Sequence, residues 1–159
     1  MAAAAAGSKP NEVRRVAVPA SLRPANVLVT VHSASDLPAG DRNGLSDPFA
    51  RVELGKQKRK TRTVSKSLSP QWQQALLFDY DAAATTLTVS VIDADFGRPD
   101  DFLGAADVDV ALLKDDGQIA QRTVELKSKA GTAAGTVVIS VKRGHWSDEQ
   151  VASLNAPPS

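Results

Sequence analysis

The sequence predicts an all-β protein, an eight-stranded antiparallel β-sandwich. Short runs rich in valine, isoleucine and threonine recur along the chain, several with period-2 alternation. Glycine, proline and aspartate clusters separate them. Helical periodicity is nearly absent, so a parallel sheet would lack its crossover helices.

Residues 1–10, MAAAAAGSKP, are low-complexity and read as a disordered lead. In 11–24, Val13, Val16 and Val18 can pack, but Pro19 and Pro24 break any long element. VLVTV, 27–31, reads as the first strand, DPFARVEL, 47–54, as the second, and KRKTRT, 58–63, as a polar third. ALLFDY, 75–80, is the fourth. TLTVSVI, 86–92, puts Leu87, Val89 and Val91 on one face and Thr86, Thr88 and Ser90 on the other. FLGAADVDV, 102–110, and QRTVELK, 121–127, are the sixth and seventh. GTVVISVKR, 135–143, is the eighth, with Val137, Ile139 and Val141 facing one way. ALLKDD, 111–116, allows a helical turn. Ser147 followed by Gln150 resembles a capping box, which would place Trp146, Val151 and Leu154 on one side of a short terminal helix. A frayed tail is the alternative. The expected organisation is an extension over 1–24, a body over 25–143 and a tail over 144–159.

With 159 residues the chain fits one domain with short tails. It has no cysteine, which excludes disulfides, thiolate-bound zinc and a cysteine nucleophile. Lys plus Arg number 19 against 18 Asp plus Glu, so there is no bulk basic footprint for nucleic acid. No run approaches the ~20 apolar residues that span a bilayer. The start lacks a secretory pattern, position 2 is alanine and no prenylation cysteine ends the chain. Arg14, Arg15 and Arg23 admit a transit peptide; Glu12 and the shortage of serine argue against one. The expectation is a soluble, cytoplasmic protein that meets membranes peripherally.

The stretch DADFGRPDD puts Asp93, Asp95, Asp100 and Asp101 within nine residues, with only Arg98 to offset them. A second acidic stretch, DRNGLSD, runs from Asp41 to Asp47. The two are the first and fifth connections between strands, and alternate connections of an antiparallel layout fall at the same end. Five crowded carboxylates, Asp41, Asp47, Asp93, Asp95 and Asp101, call for a compensating cation. Oxygen donors without imidazole or thiolate select calcium or magnesium, and irregular loop ligands suit calcium better. Aspartates also favour turns in their own right, which is the plainer explanation. The ligands are split across some 50 residues, unlike the single 12-residue loop of the helix–loop–helix calcium motif.

These residues resemble the C2 domain family. DRNGLSDPF matches its first loop, DADFGRPDDFLG its third, and KQKRKTRTVSKSLSPQW its basic strand and following turn. The resemblance runs from about Val27 to Arg143. It implies a sandwich of C2 type in which Asp41, Asp47, Asp93, Asp95 and Asp101 bind two or three Ca²⁺ ions, with carbonyls of Gly40 and Ala94 adding ligands. The ions would coordinate anionic headgroups, often phosphatidylserine. The clean last strand resembles type II topology; in type I, residues 11–24 would supply the first strand. There are departures. Ile92 stands where many members have an aromatic residue. Arg51 and Glu53 stand where phosphoinositide binders often have lysines, and Glu53 counts against a strong phosphoinositide preference.

At the loop tips, Arg42, Asn43, Phe96 and Arg98 are candidate lipid contacts, with Phe96 entering the interface or folding back onto the sandwich. Leu45 raises the same choice and favours packing. Lys56, Lys58, Arg59, Lys60, Arg62 and Lys66 form a basic stretch in which Lys58, Lys60 and Arg62 share a strand face, suited to a phosphoinositide or an acidic protein. Its plainer role is a charged edge that prevents aggregation. Trp72 reads as a packing anchor. His32 and His145 are too isolated for a metal pair, and with no G-x-S-x-G there is no catalytic constellation, so an enzyme is not expected. The leading expectation is a calcium-dependent membrane-recruitment or adaptor module. The alternative is a calcium-independent protein-interaction scaffold using the basic strand or the tails. A lipid-metabolising enzyme is the weakest reading.

Overall fold

The computed structural model describes residues 25–38, 46–94, 100–115 and 117–155. Eight strands form the body: β1 (Asn26–Ser35), β2 (Pro48–Leu54), β3 (Gln57–Lys60), β4 (Gln71–Asp79), β5 (Thr86–Asp93), β6 (Asp101–Asp109), β7 (Gln118–Lys127) and β8 (Ala133–Gly144). They are hydrogen-bonded in the order β3-β2-β5-β6-β7-β8-β1-β4, and every pairing is antiparallel. β6 meets β7 at one bridge only, Ala105 to Lys127. The ladder thus folds over there into two four-stranded halves with the core between them. β8 is a full central strand between β7 and β1, the place that the type II resemblance gives to the last strand.

Alternating valines build that core. Val27, Val29 and Val31 of β1 face inward with Val137, Ile139 and Val141 of β8. Ala50, Val52 and Leu54 of β2 and Leu87, Val89 and Val91 of β5 do the same from the other half. Each buried Val or Leu side chain gains about 1.5–3 kcal/mol over exposure. The 111–116 turn is a 3₁₀ helix, Ala111–Asp115, which buries Leu113.

Strand ends depart from the sequence expectation for local reasons. β1 continues past Val31 to Ser35 through a bulge between Val31 and Ser33 shared with both neighbours. His32 sits in this bulge, its Nε2 2.6 Å from Ser140 Oγ and its Nδ1 3.1 Å from Gln73 Oε1, tying three strands. β3 stops at Lys60 instead of residue 63. Thr61 turns inward, and its Oγ1 accepts from the Ala50 N–H at 2.9 Å and donates to the Arg62 carbonyl at 2.9 Å.

The terminal helix α1 (Asp148–Asn155) exists, and its N-terminus carries the expected capping box. The Ser147 N–H donates to Gln150 Oε1 at 2.7 Å, and the Gln150 N–H donates to Ser147 Oγ at 3.1 Å. Val151 is buried, but Leu154 is 58% exposed, so the expected common face of Trp146, Val151 and Leu154 does not hold. Asn155 orients the helix instead. Its Oδ1 accepts from the Ala75 N–H and its Nδ2 donates to the Ala75 carbonyl, both at 2.7 Å. Along the same outer edge of β4, Gln57 bonds both main-chain groups of Asp79, and Arg59 Nε donates to the Leu77 carbonyl at 3.1 Å. An open edge is a template for unwanted pairing, and side chains seal this one. Asn155→Ala should lower stability by about 1–2 kcal/mol, because Ala75 loses both partners. A thermal melt beside Leu154→Ala, expected to be near neutral, checks this.

Candidate functional site

Four connections lie at one end of the sandwich. Pro48 pairs with Asp93, Asp93 with Asp101, Ser33 with Gln71 and Ser35 with Thr136. These pairings place the β1–β2, β3–β4, β5–β6 and β7–β8 connections side by side. Asp93 closes β5, an inner strand flanked by β2 and β6, and is 1% exposed. Its Oδ1 accepts the Asp47 N–H at 2.7 Å, and the Ala94 N–H donates back to the Asp47 carbonyl at 2.9 Å. The two acidic connections, β1–β2 and β5–β6, are thereby locked together at their bases.

Asp47 Oδ1 in turn accepts the main-chain N–H of Lys66 at 2.6 Å. Lys66 holds a φ of 54°, a left-handed backbone uncommon for a lysine. Beneath, buried Ser46 donates its hydroxyl to the Pro38 carbonyl at 3.1 Å and accepts the Ser67 N–H on its own carbonyl at 2.7 Å. The carboxylates run from buried Asp93 through half-buried Asp47 to exposed Asp101, with Asp100 exposed beside it. Sequence reasoning picked out the acids but missed Ser46 and the backbone role of Lys66, neither of which carries a compositional signal.

Of the expected metal ligands, Asp47, Asp93, Ala94 and Asp101 are described and converge on this rim. Gly40, Asp41 and Asp95 lie outside the described residues, as do Arg42, Asn43, Leu45, Phe96 and Arg98. Among the described residues no group of three or more histidine, cysteine, aspartate or glutamate side chains is close enough to hold a metal ion. What is present suits a hard cation: a carboxylate removed from water, a neighbouring carboxylate tied to it, and oxygen as the donor.

The basic strand is less of a unit than its sequence suggests. Lys58 and Lys60 are exposed opposite Glu53 and Arg51 of β2. Lys60 Nζ lies 5.7 Å from the Phe49 ring centroid, and Arg51 Nε pairs with Glu53 Oε1 at 3.3 Å. Arg59 takes the other face, over Phe78. Arg62 falls beyond the end of β3. Its guanidinium donates to the Trp72 carbonyl and to Gln74 Oε1, so it ties the β3–β4 connection to the start of β4 and does not extend the Lys58–Lys60 row. Trp72 is fully buried, and its Nε1–H donates to the Pro48 carbonyl at 3.3 Å, as a packing anchor should.

An antiparallel sandwich that carries its candidate chemistry on loops at one rim is a binding-module architecture. The chain belongs to the C2 domain family, whose model matches residues 25–126. A C2 and GRAM domain-containing protein of Arabidopsis thaliana is 45% identical over 87 residues, which are 55% of this chain and 8% of that protein. The Mus musculus multiple C2 and transmembrane domain-containing protein 1 is 35% identical over 123 residues, 72% of this chain and 13% of that protein. The chain therefore spans only about a tenth of the length of these curated relatives. Among solved structures, the C2A domain of plant extended synaptotagmin 1 superposes with a TM-score of 0.66 at 23% identity, over 79% of this chain and 98% of that one. Calcium-bound extended synaptotagmin 2, as its C2A and C2B domains, gives 0.62 at 22% identity over 77% and 46%. Likeness at that identity establishes the fold.

Proposed function

We propose that this C2 domain binds anionic phospholipid membranes peripherally and in response to calcium, as a recruitment or adaptor module. The observation that carries the reading is Asp93, buried at the head of the rim and hydrogen-bonded to the backbone of Asp47, 46 residues away. A carboxylate held out of water and tied to a second acidic residue offers the hard oxygen donors that a divalent cation takes. Asp41, Asp47, Asp93, Asp95 and Asp101, with the carbonyls of Gly40 and Ala94, would hold two or three Ca²⁺ ions. Bound calcium supplies positive charge to an acidic rim and open coordination positions for phosphate oxygen.

The chain's own residues do the rest. The bonds from Asp47 to Asp93 and from Lys66 to Asp47 hold Asp47 and Asp93 in place, and the response is a change of electrostatic sign. Arg42, Asn43, Phe96 and Arg98 at the tips would meet the headgroups. Lys58 and Lys60 on the flank offer a second contact for phosphatidylserine or a phosphoinositide, with Arg62 held nearby. The approach is peripheral and from the cytoplasm. Among the described residues no helix is long and apolar enough to cross a membrane.

Sedimentation with phosphatidylserine-containing vesicles, in calcium and in chelator, tests the reading. The protein should pellet only in calcium, and not with pure phosphatidylcholine. Calcium-independent capture of a protein partner with no vesicle response would place the chain with the scaffold alternative.

A further inference from the structure

The acidic rim is bracketed by two lysines that belong to neither acidic connection. A continuous chain of contacts links them. Lys66 donates its N–H to Asp47 at 2.6 Å, Asp47 donates its N–H to Asp93 at 2.7 Å, and Asp93 pairs with Asp101 across β5 and β6. Phe102 follows Asp101, and Lys129 Nζ lies 5.9 Å from its ring centroid. Lys66 thus stands at one side of the carboxylates, in the β3–β4 connection. Lys129 stands at the other, in the β7–β8 connection.

Both are held by their backbones. The turn of Lys129 closes on itself: the Gly131 N–H donates to the Ser128 carbonyl and the Ser128 N–H to the Thr132 carbonyl, each at 2.9 Å, and the Ser128 and Thr132 hydroxyls lie 2.7 Å apart. Both lysines are exposed, and among the described residues neither ammonium has an ion-pair partner. A fixed backbone with a cationic tip in solvent suits a broad, planar, negatively charged surface better than one small ligand.

We infer that Lys66 and Lys129 form the two flanks of the membrane-contact surface and bind phosphate groups of an anionic bilayer directly. This inference rests on the calcium-dependent membrane reading of the same rim. With the carboxylates neutralised, the lysines widen the cationic footprint across the whole end of the sandwich. The β7–β8 connection then becomes a membrane-facing element beside the acidic ones.

The test uses the full chain and vesicles of phosphatidylcholine with roughly 20–30% phosphatidylserine, in calcium, at about 0.05 and 0.2 M salt. Lys66→Ala and Lys129→Ala should each weaken binding about five-fold, the equivalent of ~1 kcal/mol per basic side chain near an anionic leaflet. The double variant should lose about 25-fold and show a shallower salt dependence. Calcium affinity in lipid-free buffer should stay as in wild type for Lys129→Ala, whose residue bonds to none of the acidic side chains. Lys142→Ala, on β8 toward the opposite end, should bind vesicles normally. If wild type binds vesicles and the double variant matches Lys142→Ala, the flanking role is overturned while the calcium reading stands. If wild type takes up no calcium and ignores vesicles, both fall together.

Discussion

Asp93→Asn is expected to abolish calcium-dependent vesicle binding while raising the melting temperature of the calcium-free protein. The two effects have one cause. Asp93 is 1% exposed and hydrogen-bonded to Asp47. Removing one of several like charges gathered at one rim relieves Coulomb repulsion. Asparagine keeps an oxygen to accept the Asp47 N–H at nearly the same volume, so the strand end stays in place and the negative charge is removed. The calcium-free fold then gains stability. A divalent ion at the rim loses its most desolvated anionic ligand, and its affinity should fall about 100-fold or more, about 2.7 kcal/mol. Calorimetry reads the affinity, sedimentation the membrane response, and a melt in chelator the stability. Asp107→Asn, at an exposed acid of β6 that accepts a hydrogen bond from Thr88 of β5, should leave all three nearly unchanged. An Asp93→Asn protein that pellets in calcium like wild type would contradict the assignment of the rim. One that melts lower in chelator would show that repulsion is not what its charge contributes.

The strand interiors were legible because their signal is local. Val27, Val29 and Val31, or Val137, Ile139 and Val141, alternate in the chain and face one core in the fold. Strand ends were not, because distant partners set them. Thr61 ends β3 by bonding to Ala50, and Asn155 places α1 by bonding to Ala75. At the site, the acids could be read by type and spacing, since turn-borne aspartates on alternate connections must share an end. Their depths could not. Asp93 and Asp101 look alike in the sequence, yet one ends an inner strand and is buried while the other is exposed. Arg62 misled for a related reason. Period-2 counting assumes that the strand continues, and β3 had already stopped. The reciprocal capping box at Ser147 and Gln150 was readable because it closes within four residues.

Trp72→Ala should give the largest loss of stability of any single substitution in the core. The indole is fully buried at the start of β4, where the Ser69-Pro70-Gln71 turn delivers it into the core. Removing it leaves a void in the core, at a cost of about 3–5 kcal/mol. Against a total of about 5–15 kcal/mol, that approaches or reaches unfolding near body temperature. The damage also has a direction. Trp72 Nε1–H donates to the Pro48 carbonyl, Pro48 pairs with Asp93, and Asp47 precedes it. The core anchor therefore sets the floor of the acidic rim. Trp72→Phe separates the two roles, since it keeps most of the apolar bulk and removes only the N–H donor. It should cost about 1 kcal/mol, because the Pro48 carbonyl keeps the Val64 N–H at 3.0 Å when the indole donor goes, and loosen calcium binding several-fold in a protein that still folds. Circular dichroism melts would show a drop of roughly 10 °C or more for the alanine variant and a few degrees for phenylalanine. An alanine variant melting within a few degrees of wild type would show that the two halves pack without the indole. A phenylalanine variant with unchanged calcium affinity would show that the rim is preset by its own backbone bonds, from Asp47 to Asp93 and from Lys66 to Asp47, and not from below.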